Sequence, residues 1–434
     1  MAVDSIIVSD AKARSARNSL GAVEGVLAST EELNLLLKGL PQTIIASVTA
    51  ALKTERTHIR NALEAYEKAS AGHVNDLLAL GELDQGTMLI VGRLRLGLSQ
   101  KELARRLGMR MQQVQRYEKE RYRSISLSNY RKVAAVVGIR PHSELLEEPR
   151  SGWVGAQDIS VEEARKVVRH ARKRGWIEGG RESIEDGLAQ LKKDIAEHVV
   201  EYSRPSMLRT GLNVREDVVD DWSLLAWKSQ ITRRAETIAE SLDVDYNPLD
   251  LGWLTDLVRL SSDADGPRLA IDFLLQRGIV VVAEPAVPGM PLDGAAFVVN
   301  GVPVVGLTLR HDRLDNFWFT LLHEIAHVVL HYRTGLATGF FDDIDKPTRD
   351  DLELEANEFA SELLLPEHRW KRSPARIAMK PGPIIAFAKA LGVHPAIVFG
   401  RIRKERDRYD LFSQYVGHRG VRKHFEDFNE KEPR

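Results

Sequence analysis

The 434-residue chain is expected to fold as a mainly α protein with a small α+β part. Three observations predict this. Apolar residues recur at steps of three and four through most of the chain, the spacing of helical faces. Only residues 268–309 change character, to short apolar runs broken by Asn300-Gly301, the pattern of strands joined by a tight turn. The composition is 43% apolar and 28% charged with 31 Gly and 17 Pro, which excludes wholesale disorder and collagen. There is no cysteine, so disulfides, thiolate metal sites and Cys nucleophiles are excluded and any metal falls to His, Asp or Glu. No run approaches about 18 uninterrupted apolar residues. The N-terminus also lacks the basic-then-apolar order of a secretory leader. The expectation is a cytoplasmic protein with no membrane partner.

Taken in order, residues 1–85 read as a helical arm. Ser29-x-x-Glu32 is a capping box, Gly39 a stop, and Pro41 the opening of the next helix. In that helix Ile45, Val48, Leu52, Ile59, Leu63 and Tyr66 form a narrow apolar stripe. Its partner is either the rest of the chain or a second copy. Residues 86–145 form a compact helical domain, with 149–155 as a linker. Residues 150–255 form a helical middle segment, where RKVVRHARKR at 165–174 reads as a solvated face and no chemistry is assigned. Residues 256–375 carry the α+β domain and 376–434 a helical extension. A helix near Leu269–Gln276 leads into strands around Gly278–Val282, Ala295–Val299 and Val302–Leu309, with Pro303 expected at an edge or a bulge.

The net charge of −1 conceals an asymmetry, because Arg93 to Val133 holds 12 Lys/Arg against 3 Asp/Glu. A basic block in an otherwise acidic chain points to a polyanion partner for that block. Within it, Ser99 caps a helix that ends at Leu107-Gly108, and a second helix starts near Met111. Two helices joined by a short glycine turn place the second in a DNA major groove. Gln112, Gln113 and Arg116 would face bases, since Gln pairs bidentately with adenine and Arg with guanine. Arg105, Arg106, Arg121 and Arg123 would serve phosphates, and Gln100 is a further DNA-binding candidate. One such unit reads few base pairs, so a homodimer on a palindromic operator in double-stranded DNA is expected, with the arm stripe as its surface.

This stretch, with Ser99-Gln100, Leu103-Ala104, Leu107-Gly108, Val114 to Glu118, Leu127, Ala134 and Val137-Gly138, resembles the helix-turn-helix of the Xre/Cro repressor family over about 60 residues. The resemblance implies a five-helix-type domain. The QQVQRYE run and the preceding arm are similar to larger HigA-type antitoxin-like regulators. A helical hairpin that binds protein instead of DNA is the competing reading.

Three of the 13 histidines fall in WFTLLHEIAHVVLHY. His323 and His327, four apart on a helix, project from one face and can converge on one ion, with Glu324 beside them. In this HExxH arrangement the two His bind Zn²⁺ and the Glu is the catalytic general base. His331 lies about 12 Å along a straight helix from His323 and is read as a packing residue or one that supports a ligand. The third ligand is expected from LELEANEFASELLLP. There Glu353, Ala356, Asn357 and Ala360 share a face, and the alanines allow close approach. Glu353 is the ligand and Asn357 the residue that orients a ligating imidazole. Glu355 and Glu358 are read as pointing away, with Glu355 the fallback ligand.

HEIAHVVLH with ELEANEFASELLLP, together with FLLQRGIVVV and Leu292-Asp293-Gly294-Ala295, resembles the ImmA/IrrE metallopeptidase family, a gluzincin-like group, over about 270–370. That resemblance implies a zincin-like domain acting as a zinc metalloendopeptidase on a regulatory protein, a repressor or a toxin. The combined expectation is a DNA-binding transcriptional regulator fused to an endopeptidase. The alternative is a repressor or antitoxin-like protein whose peptidase fold serves binding or sensing.

Overall fold

The computed structural model describes residues 6–80, 83–122, 124–140, 159–178, 183–198, 221–242, 244–331 and 349–425. Arg123 and the 149–155 linker lie outside the described residues. The chain divides into two compact units, residues 1–30 with 52–150 and residues 31–51 with 151–434.

The first helices are α1 (Asp10–Ala28), α2 (Thr30–Leu36), α3 (Gln42–Ser70), α4 (Asn75–Leu78), α5 (Gln85–Arg95), α6 (Gln100–Leu107), α7 (Met111–Lys119) and α8 (Leu127–Val137). Ser29 ends α1 by donating its backbone N–H to the Gly25 carbonyl, and Gly39 adopts φ +83° beyond α2. Within the first unit, Tyr66 of α3 donates to Asp10 of α1 at 2.8 Å, and Arg17 pairs with Glu67 at 2.8 Å. Ile59, Leu63 and Tyr66 share one core with Ala13 and Ala16 of α1 and with Leu89, Leu103, Val114 and Val133 of the helices that follow. Val48 and Leu52 are buried as well. Ile59, Leu63 and Tyr66 of the arm stripe are therefore covered within the first unit, while Ile45 is half-buried. A period reports that a face is covered, not by what.

The compact helical domain follows its capping signals. Asp84 accepts from the Thr87 N–H at 2.7 Å, Ser99 from Glu102 at 3.1 Å and Ser126 from Asn129 at 3.3 Å. Each such cap contributes about 1 kcal/mol. Gly108 at φ +67° closes α6 and turns the chain into α7, a conformation that costs a residue with a Cβ.

The second unit contains α9 (Val161–Lys173), α10 (Ile184–His198), α11 (Asp221–Ala239), α12 (Leu254–Arg259) and α13 (Gly266–Leu275), then β1 (Val280–Ala283), β2 (Gly294–Val299) and β3 (Val302–Leu307). These are followed by α14 (Leu314–His331), α15 (Arg349–Leu364), α16 (Glu367–Trp370), α17 (Pro381–Leu391) and α18 (Pro395–Glu405). The sheet order is β1-β3-β2, with β1 parallel and β2 antiparallel to β3. Asn300 and Gly301 both take positive φ, +51° and +87°, as a two-residue hairpin turn requires.

Pro303 is not on an edge strand as expected, because β3 is central. Pairing with β1 begins only at Val304, so Pro303 is opposite Val298 of β2 and interrupts no ladder to β1. The middle helices share the sheet's core: Val167 and Val168 of α9, Leu191 of α10, and Trp227 and Ile231 of α11 pack with Val280, Val282 and Val304. A Cβ at Gly306 would lie 2.7 Å from the Trp227 ring, so this close approach needs glycine. Glu284, buried at the end of β1, is held by Arg174 at 3.0 Å, Arg234 at 2.6 Å and the Trp176 indole at 3.1 Å. Among the described residues no helix is long and apolar enough to cross a membrane.

Candidate functional site

Helix α14 packs against β2, α15 and α18 and is buried almost all round, with Phe317, Trp318, Leu321, Ile325 and Val328 as its apolar anchors. An apolar helix in that setting holds polar side chains only where they meet partners. His323, Glu324 and His327 are nonetheless 2%, 0% and 1% exposed. From α15, Ala356 and Ala360 are fully buried and bring that helix close, as the small-residue face predicted.

The Nε2 atoms of His323 and His327 lie 3.1 Å apart. Glu353 places Oε2 3.2 Å from His323 Nε2 and Oε1 3.7 Å from His327 Nε2. Two donors each about 2.0–2.1 Å from a tetrahedral ion would stand about 3.3–3.4 Å apart; the imidazole nitrogens are close to that spacing, and the two Glu353 oxygens each approach one of them. Among the described residues this is the His/Asp/Glu group whose ligand atoms can hold a metal. The donor chemistry suits one too. Burial holds the His323 imidazole below its ordinary pKa, despite the neighbouring Glu353 carboxylate. Burial works against ionisation of Glu353 as well, but its bonds to His323 and His327 outweigh it and set the carboxyl at about 2. A neutral imidazole beside an ionised carboxylate is the protonation state that metal binding requires.

Asn357, one turn beyond Glu353, sets Oδ1 3.2 Å from His323 Nδ1. With the amide oxygen facing it, Nδ1 carries the proton and Nε2 turns its lone pair to the cluster. His331 stands outside the group: its ring centroid is 5.6 Å from that of His327, and burial lowers its pKa to about 3. Glu355 does not point wholly away as expected; its Oε2 lies 3.7 Å from His331 Nε2. Burial, then Glu358, raises its pKa.

Sequence reasoning missed the close fit over Glu324. Gly294, the first residue of β2, lies so near that a Cβ there would be 2.8 Å from Glu324 Oε1 and 2.9 Å from Thr320 Cγ2. The signal was the small run Gly294-Ala295-Ala296 at the head of a strand, which marks close approach without naming the neighbour.

In the first unit, Gln112 and Arg116 are exposed on α7, and the Arg116 guanidinium sits 5.6 Å from the Tyr117 ring centroid. Gln113 is half-buried and donates to Tyr117 Oη at 3.0 Å. Gln100 donates to Glu118 at 2.8 Å, and Glu118 also takes the Arg93 guanidinium through two bonds of 2.5 and 2.8 Å. Both members of that ion pair are buried, and sequence reasoning had treated Arg93 only as part of the basic block. Arg105 and Arg106, exposed on α6, meet Glu102 at 2.6 and 3.3 Å; the bond from Arg105, then that from Arg106, lowers its pKa to about 2. Arg121 follows α7 at φ +47°.

The fold and site define a chain with a helix-turn-helix domain followed by a metallopeptidase-type domain. Comparison with known families agrees. Residues 92–145 match the helix-turn-helix family HTH_3, and residues 275–381 match the IrrE N-terminal-like domain, Peptidase_M78. Comparison with curated proteins and with solved structures gives no match.

Proposed function

We propose that the protein is a DNA-binding transcriptional regulator whose second unit is a zinc-dependent endopeptidase cutting a regulatory protein partner. The observation that carries the reading is the convergence of His323, His327 and Glu353, whose nitrogen and oxygen atoms approach within 3.1–3.7 Å, with Glu324 buried one residue from His323. His323 and His327 would each give Nε2 and Glu353 a carboxylate oxygen. Bound there, Zn²⁺ supplies Lewis acidity toward a peptide carbonyl and toward water.

Glu324 takes the proton from the attacking water on its carboxylate and hands it to the amine that leaves. Gly294 passes close to that carboxylate and limits where it can sit. Asn357 holds the His323 ring in the required tautomer. DNA reading falls to α7, with Gln112 and Arg116 on bases and Arg105, Arg106 and Arg121 on phosphates. Two copies on a palindrome would supply the base pairs that one unit lacks.

The test is metal content and cleavage of candidate repressor and toxin proteins by the full chain and by Glu324→Gln. The expected outcome is one zinc per chain in both, cleavage by the wild type only, and unchanged DNA affinity. The loss should lie in kcat and not in KM, because the amide accepts no proton while ligands and fold remain. Cleavage by Glu324→Gln at the wild-type rate would remove the assigned base.

A further inference from the structure

Beside the histidine group, and lined by none of its residues, the second unit holds two adjoining cavities with cationic walls. One, of about 690 Å³, is lined by Arg310, Arg313, Arg419 and Arg422 with His311 and His418, against the single carboxylate Asp312. The other, of about 380 Å³, shares Arg310 and Arg422 and adds Lys173 and Arg174. Both volumes lie within the range of about 300–1,000 Å³ usual for small-molecule sites.

The charges do not cancel locally. Arg310 is matched by Asp293 at 3.1 Å, Arg313 by Asp315 at 3.0 Å and Arg174 by Glu284 at 3.0 Å. Asp312 spends Oδ1 on the backbone N–H groups of Val421 and Arg422, at 2.9 and 3.0 Å. Six Lys/Arg against these four carboxylates leave an excess of +2. Arg419 and Lys173 are exposed, and neither side chain has an ion pair or hydrogen bond among the described residues.

The frame is pre-built. Arg313 bridges to His418, the Arg419 N–H reaches the Asp312 carbonyl at 2.8 Å, and Arg422 donates to the carbonyls of Leu309 and Arg310 at 3.0 Å each. In the smaller cavity, Pro285, Val287, Pro288 and Met290 add an apolar wall beside the cations. A dianionic head in the arginine cavity and an apolar body against that wall would satisfy both surfaces, and guanidinium forks suit phosphate oxygens.

We propose that this pair of cavities binds a small ligand carrying a phosphate or pyrophosphate head and a body of nucleotide size. The site uses neither Glu324 nor the His323–His327–Glu353 group, so it stands whether or not the chain cleaves peptides.

The experiment is calorimetric titration of the full chain with pyrophosphate and with adenosine diphosphate at fixed ionic strength. Saturable binding of either is expected. It should weaken by at least about tenfold in Lys173→Glu/Arg419→Glu, two exposed positions whose exchange spares the fold, and persist in Arg419→Lys. Arg116→Ala, on the DNA-reading helix, should leave it unchanged. The proposal is overturned if neither probe saturates, if the charge-reversed variant binds as well as wild type, or if Arg116→Ala abolishes the signal. It is overturned equally if single-stranded oligonucleotides bind there with affinity that rises with length while the two small probes do not.

Discussion

Asn357 offers the most direct test of the metal centre, because its contribution is separable from that of the ligands. Its Oδ1 is 3.2 Å from His323 Nδ1, on a ring that is 2% exposed. Replacing Asn357 with Ala leaves that N–H buried without its acceptor and frees the ring to turn. A lost buried partner costs about 1–3 kcal/mol. Removing the group that orients a ligating His lowers metal affinity about 10–100-fold, or about 1.4–2.7 kcal/mol. The two estimates agree, so zinc should still bind Asn357→Ala, but within that weaker range. Asn357→Asp keeps an acceptor and should bind at least as tightly as wild type. Asn357→Leu should match Ala. Competition against a chelator of known affinity, with far-UV circular dichroism to confirm folding, reads all three. Wild-type affinity in Asn357→Ala, or equal loss in Asn357→Asp, would refute the tautomer argument.

Other perturbations probe separate parts of the molecule. Arg116→Ala should lower discrimination at one base pair by about 1–3 kcal/mol, read as the affinity ratio between operator and random duplex; equal losses on both would make Arg116 a phosphate contact. Gly294→Ala drives a methyl to 2.8 Å from Glu324 Oε1 and should impair cleavage while zinc stoichiometry stays at one, a pairing that metal analysis and a peptide assay check together. His170 is held at a pKa of about 4 by burial, with Arg174 and Lys173 adding to the depression against a backbone bond to Pro285. Its unfolded-state pKa is higher, so the unfolded chain binds more protons between about pH 6.5 and 4 and stability falls as pH drops through that window, by up to about 3 kcal/mol. His170→Phe keeps the edge-on ring against Trp176 and should flatten that acid slope in denaturant titrations; an unchanged slope would assign it elsewhere.

What the sequence made legible was local. The i, i+4 imidazoles lie on one helix, and Glu353, Ala356 and Asn357 share one face of the next, so spacing alone brought them toward each other. What it hid was contact between distant segments. Nothing in HEIAH says that Gly294 covers Glu324, because that fit depends on how β2 passes α14. Pro303 was misplaced because strand order is a property of the sheet, not of the strand. The arm stripe was ambiguous for the same reason: a covered face has the same period whether its cover is the same chain or another.

The helix proposed to read DNA carries this distinction into function. Polar residues on α6 and α7 look alike in sequence, yet burial separates those that hold the helices from those left for a ligand. Gln100 and Glu118 meet in a network with buried Arg93, and breaking such a pair by removing one member costs about 3–5 kcal/mol. A residue committed to that network keeps α7 at its angle to α6 and has less freedom to follow a base. We propose that Gln100 positions α7 and leaves base contact to Gln112 and Arg116, while Gln113 is half-buried and bonded to Tyr117. Gln112 and Arg116, exposed on α7, retain side chains that can reach outward. Sequence preference should then change with substitutions at 112 and 116. Substitution at 100 should weaken binding to all duplexes alike, by loosening the helix that presents them.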